Sequence, residues 1–254
     1  TPKKTPIFDA HCHVIDHRFP VIENQGFTPE HFPLEQYLSQ TQPLGVSSGA
    51  IVSGSFHGFD QTYLKATLKA LGPQWVGVTQ VPMNISDREI LELTESGVRA
   101  LRFNIFRGRI DDVKEIVSLA KRVHDIGRWH AEIYADAFAL APHVNALSQC
   151  PQIVIDHLGM TQKGIPVVLD LVRAGAKVKA TGFGRLDMDI AKTLQAIASV
   201  NESALIFGTD IPSTRAKRAF LPSDIDLIRS ALGPQLSQKV LWSNARALYR
   251  LERT

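Results

Sequence analysis

Short apolar runs rich in β-branched residues alternate with helix-period segments from one end of this chain to the other, and no other feature narrows the fold as far. Eight candidate strands can be marked: Ile7 to Val14, Gly49 to Gly54, Trp75 to Val81, Val98 to Ile105, Arg128 to Tyr134, Gln152 to His157, Ala176 to Thr181 and Ala204 to Thr209. The stretches between them carry helix-start signals. Ser86 is followed three residues later by Glu89, and Asp112 by Glu115, a spacing that satisfies the free N–H groups at a helix N-terminus. Each crossover is long enough to return the chain to a parallel neighbour, so the expectation is a parallel sheet covered by helices. Eight such units match a single-domain α/β fold, a (β/α)8 TIM barrel over residues 1–254. An open doubly wound sheet is the competing architecture, but no Gly-x-Gly-x-x-Gly follows the first strand. One long irregular stretch, Asp16 to Pro43, holds Pro20, Pro29, Pro33 and Pro43. It reads either as an active-site loop or as a plain surface excursion.

Composition adds exclusions. A chain of 254 residues that is 44% hydrophobic, with formal charge +3, can bury a full core without disulfides or metals. Cys12 and Cys150 show no CxxC spacing, which gives neither a zinc ribbon nor a redox pair. No dense Lys/Arg tract with interleaved aromatics suggests a nucleic-acid partner. No apolar run approaches a bilayer-spanning length, and Thr1 to Ile7 carries two lysines with no apolar signal core behind them. The expectation is a soluble, cytoplasmic protein that acts on a small molecule, with no membrane partner. Oligomeric state leaves no mark in the sequence.

In a parallel barrel the active site forms at the C-terminal ends of the strands. His11 and His13 end the first strand, and alternation puts both on one face with Cys12 on the other. His157 ends the sixth strand and Asp210 the eighth. Each has a plain structural explanation when taken singly, but four such groups at one rim point to chemistry. His130 starts its strand, and His124 and His143 fall in helical segments; these three read as structural.

His-x-His on strand one, Asp156-His-Leu-Gly on strand six, Gly208-Thr-Asp-Ile-Pro on strand eight and the closing Leu241-Trp-Ser-Asn-Ala-Arg-Ala-Leu-Tyr together resemble the amidohydrolase superfamily over essentially the whole chain. Within it, the chain is similar to the branch of 2-pyrone-4,6-dicarboxylate hydrolase and related lactonases. That resemblance implies a hydrolase that opens the lactone ring of a carboxylated substrate. Its substrate-binding candidates here are Arg102, Arg107 and Arg109 at and after strand four, Tyr134, Arg185, and Ser53 and Ser55, read as two hydroxyls on one face. Arginines grip carboxylates through two parallel N–H bonds, which suits a polyanionic ring. Phe27 stands where the branch places a phenolic hydroxyl, and the arginines after strand four depart from its spacing. A sugar lactone or another dicarboxylic muconolactone therefore stays open as substrate.

Many amidohydrolases hold one or two divalent ions, with a lysine or glutamate on strand four and a further histidine on strand five. This chain has Arg102 and Asn104 on the one and Tyr134 at the end of the other. The preferred reading needs no cofactor: His11, His13 and His157 polarise the carbonyl and Asp210 takes a proton from the attacking water. The alternative is one Zn2+ held by His11, His13, His157 and Asp210 in a mononuclear sugar lactonase or decarboxylase. Two readings of other classes are a Schiff-base aldolase using Lys179 and a binding barrel without catalysis.

Overall fold

The computed structural model describes residues 5–106 and 112–251. Its elements follow in order β1 (Ile7–Cys12), α1 (Leu34–Thr41), β2 (Val46–Val52), α2 (Thr62–Leu71), β3 (Trp75–Thr79), α3 (Asp87–Glu95), β4 (Val98–Asn104), α4 (Val113–Gly127), β5 (His130–Tyr134), α5 (Val144–Leu147), β6 (Ile153–Ile155), α6 (Ile165–Arg173), β7 (Lys177–Ala180), α7 (Ile190–Val200), β8 (Leu205–Phe207), α8 (Ser223–Gln238) and α9 (Asn244–Leu248). The strands pair in parallel in the order β1 to β8, which is the single-domain (β/α)8 barrel. No helix of the described residues is long and apolar enough to cross a membrane.

Alternation sorts the apolar side chains into two layers. Phe8, Ala50, Val52, Val76, Val78, Ala100, Val154 and Ile206 fill the interior, while Ile7, Ile51, Leu101 and Val178 face the helices. From below, Ala245 and Tyr249 close the interior, with the Tyr249 ring stacked on Phe8 at 5.5 Å. The barrel meets itself where β1 approaches β8. There the Asp210 N–H donates to the His11 carbonyl at 2.7 Å and the His13 N–H to the Ile211 carbonyl at 2.9 Å. Asp9 staples the same seam: its carboxylate accepts from the Thr209 N–H and hydroxyl at 2.8 and 2.7 Å, and from the Tyr37 hydroxyl at 2.6 Å.

Strand ends differ from the sequence reading. β2 begins at Val46, because Gly45 (φ 97°) ends a 3-10 turn and releases the chain into extended geometry. The stretch Asp16 to Pro43 is not wholly irregular, since α1 lies inside it behind Pro33 and buries Tyr37 and Thr41. Ser86 caps α3 by accepting from the Glu89 N–H at 3.1 Å, and Asp112 caps α4 by accepting from the Lys114 N–H at 2.9 Å.

Candidate active site

The first strand brings both imidazoles inside by breaking its own alternation. Phe8 and Ala10 face the interior, yet His11 turns inward as well, against Lys179. Asp9 lies opposite Gly49 and Cys12 opposite Ile51, so β1 takes three steps where β2 takes two. Such a bulge re-aims a side chain. Alternation then resumes: Cys12 faces out, its sulfur 3.4 Å from the Ala50 carbonyl, and the His13 ring lies 5.1 Å from that of His11.

His157 and Asp210 follow β6 and β8 in left-handed backbone, φ 53° and 63°, a conformation that costs a non-glycine residue roughly 1–2 kcal/mol. The turn carries both side chains into the cleft at the C-terminal ends of the strands. The His11 and His157 rings are 4.9 Å apart. One oxygen of Asp210, Oδ1, lies 3.9 Å from both His11 Nε2 and His13 Nε2 and has no hydrogen-bond partner. The other accepts from Arg185 Nε at 2.6 Å. Gly182 gives His157 its room, since a Cβ there would stand 2.5 Å from Nδ1.

Arg102 is buried, and both Nε and Nη2 donate to Asp156 Oδ2 at 3.2 Å while Nη1 donates to the Ser53 carbonyl at 3.2 Å. Three of the five guanidinium N–H groups are thus used and two remain for the cleft. The Tyr134 ring lies 5.1 Å below the same guanidinium. The two serines part company. Ser55 lines the cleft and accepts from Asn24 Nδ2 at 2.6 Å, but the Ser53 hydroxyl turns away to the Tyr63 hydroxyl at 2.6 Å. β2 ends at Val52 and a 3-10 turn begins at Ser55, so strand alternation does not relate the pair. Arg107 and Arg109 lie outside the described residues. The loop after β1 is placed at the mouth of the site, where Phe27 lies under Arg215 at 4.2 Å.

Asn104, Asp156 and Glu132 were not offered as site residues from sequence, and Lys179 only as a Schiff-base nucleophile. Asn104 lines the cleft with an unpartnered Oδ1. Beneath His11 lies a set of buried charges: the Lys179 ammonium donates to His11 Nδ1 at 3.0 Å and to Glu132, and sits 3.8 Å from Asp156 Oδ1. Glu132 also accepts from His130 Nε2 at 2.7 Å and from the Tyr249 hydroxyl. The signal was present as period-two polarity, His130-x-Glu132-x-Tyr134, on a strand otherwise apolar. Lys179 is paired with Glu132 behind His11 and does not line the cleft, which does not suit a Schiff-base nucleophile.

Burial sets the charge states. It drives His11, His13 and His157 well below the usual imidazole range, helped by Lys179, Arg102 and Arg185 respectively, so all three are neutral. Burial raises Asp210 to about 6 against the opposing pull of Arg185. For Glu132 the balance is reversed: burial would raise it, but Lys179 and His130 outweigh that and hold it below the usual carboxylate range. The His13 Nδ1 lies 2.8 Å from the Val52 carbonyl. A carbonyl only accepts, so His13 carries its proton on Nδ1 and shows the cleft a lone pair at Nε2.

Two groupings bring three donor atoms within 4.8 Å: His11, His157 and Asp210, and His11, Glu132 and Asp156. By proximity either could hold a metal ion. The second already has its cation in Lys179. The first keeps one carboxylate, whose Oδ2 is bonded to Arg185 while Oδ1 is open, with Arg102 as a further cation at the same cleft. At both groupings a protein cation competes with a divalent ion for the same carboxylate.

The amidohydrolase family model matches residues 8–251. The chain is 27% identical to 2-pyrone-4,6-dicarboxylate hydrolase of Comamonas testosteroni, over 95% of this chain and 89% of that one. It is 26% identical to 4-sulfomuconolactone hydrolase of Rhizobium radiobacter, with the same coverage. A crystal structure assigned as a 2-pyrone-4,6-dicarboxylic acid hydrolase from Pseudomonas putida superposes with TM-score 0.86 at 26% identity, covering 99% of this chain and all of that one.

Proposed function

The chain belongs to the amidohydrolase family, and on that basis we propose that it hydrolyses the lactone ring of a small substrate bearing carboxylate or similar anionic groups. The observation that carries this reading is Asp210 Oδ1, buried, unpartnered and 3.9 Å from two imidazole nitrogens, in a cleft lined by Arg102, Arg185 and Arg215. The arginines take the anionic groups and fix the ring. A water between Asp210 and the lactone carbonyl gives one proton to Oδ1 as its oxygen attacks, and the His13 lone pair accepts from its other hydrogen. His11 and His157 face the carbonyl oxygen, where negative charge develops. The acyl C–O bond then breaks, and the ring oxygen leaves as an enolate that recovers the proton from Asp210. No step is routed through a metal ion.

Ring opening of 2-pyrone-4,6-dicarboxylate, a muconolactone and uncharged sugar lactones, followed by absorbance and proton release, tests the reading. Anionic lactones should be turned over, and Asp210→Asn should lower kcat by about 10²–10⁴-fold, the usual worth of a positioned base. Turnover of uncharged sugar lactones alone would move the substrate class. Absence of turnover with every lactone would reject the reaction.

A further inference from the structure

The interior of the barrel holds a cation that the reaction scheme has not used. Lys179 is fully buried on β7, and its ammonium reaches His11 Nδ1 at 3.0 Å and contacts Glu132, with Asp156 Oδ1 at 3.8 Å. An ammonium has only hydrogens to offer. His11 Nδ1 must therefore accept, and a neutral imidazole that accepts at Nδ1 carries its hydrogen on Nε2. That Nε2 has no hydrogen-bond partner and lies 3.9 Å from Oδ1 of Asp210, which lines the cleft.

We propose that Lys179 is a positioning residue: it fills with its own charge the interior place among His11, Glu132 and Asp156, and fixes His11 as an Nε2–H donor aimed at the substrate's carbonyl oxygen. The two histidines of the first strand then hold opposite tautomers. His11 presents a hydrogen on the side of Asp210, and His13, bonded through Nδ1 to Val52, presents a lone pair there. A divalent ion between them would need two lone pairs, and Lys179 withholds one. The same hydrogen suits an oxyanion, so a single ammonium both disfavours a metal ion and supplies a donor for ring opening. Glu132, with Tyr249 and His130 behind it, keeps Lys179 in place.

The inference rests on the lactone reading for the purpose of the His11 hydrogen, but its test needs no substrate. In protein labelled with 15N-histidine, with the His11 signals identified by their loss in His11→Gln, His11 should show a protonated Nε2 and an unprotonated Nδ1. Lys179→Met should release that tautomer and lower kcat about 100-fold, the scale of one lost oxyanion donor, with little change in KM. Where burial of an unpaired Glu132 prevents folding, Lys179→Met combined with Glu132→Gln removes the charge pair together and should release the tautomer equally. A wild-type His11 protonated at Nδ1, stoichiometric zinc uptake by the wild-type protein, or a tautomer unchanged in a folded Lys179 variant would overturn the proposal. A correct His11 tautomer in a protein that opens no lactone would reject the reaction and leave the role of Lys179 standing.

Discussion

Asp210 is a carboxyl whose burial favours its neutral form, raising it to about 6. A base works only when ionised, so protonation removes activity as pH falls through that value, while the neutral histidines add no titration of their own on that limb. The predicted profile of kcat/KM falls about tenfold per pH unit below about 6; a limb near the ordinary aspartate value of about 4 would show that another group takes the proton. Gly182→Ala should impair turnover without unfolding the barrel, because the added carbon meets His157 Nδ1 at 2.5 Å and the backbone there has φ 67°. Steady-state rates together with a far-UV circular dichroism spectrum check both halves of that statement. His11, His13, His157 and Asp210 were legible in sequence because their type and their place at strand ends agree. Ser53 was not, since its hydroxyl direction is decided by where β2 stops, and Asp156 was not, since its importance depends on Arg102 from another strand.

Among the elements, β1 carries most of what pattern reading could not foresee. Alternation correctly separates Cys12 from its two flanking histidines, but the phase of that alternation is set by a bulge visible only in the pairing with β2. The neighbouring seam is just as exacting. A Cβ on Gly208 would stand 2.6 Å from His11 Cβ and 2.8 Å from its backbone nitrogen. Gly208→Ala is predicted to cost about 1–3 kcal/mol, as overpacking does, and to displace His11; urea unfolding and kcat should therefore fall together. At α3 the outcome separates. Ser86→Ala removes the cap on the Glu89 N–H and should cost about 1 kcal/mol in the same unfolding experiment while turnover stays unchanged. The order of strands was readable from the alternation of periods, whereas α1 escaped it because only eight residues between Pro33 and Pro43 adopt helix.

On the scale of the whole molecule, eight parallel strands turn a one-dimensional alternation into a ring whose upper rim collects cations around one carboxylate. An aromatic dicarboxylate that cannot be hydrolysed should therefore raise the melting temperature, with a gain of about 2.7 kcal/mol at a hundred times its Kd, and added salt should weaken it. A neutral ring of the same shape serves as the control. The ring closes late in the chain: Thr209 meets Asp9, Lys179 meets His11, and Tyr249 reaches Glu132 from below. During synthesis, His11 and His13 leave the ribosome well before their partners on β6, β7 and β8. A growing chain therefore carries an unclosed sheet edge on β1 until β8 follows, and acquires its chemistry all at once, when the residues of β8 and α9 arrive.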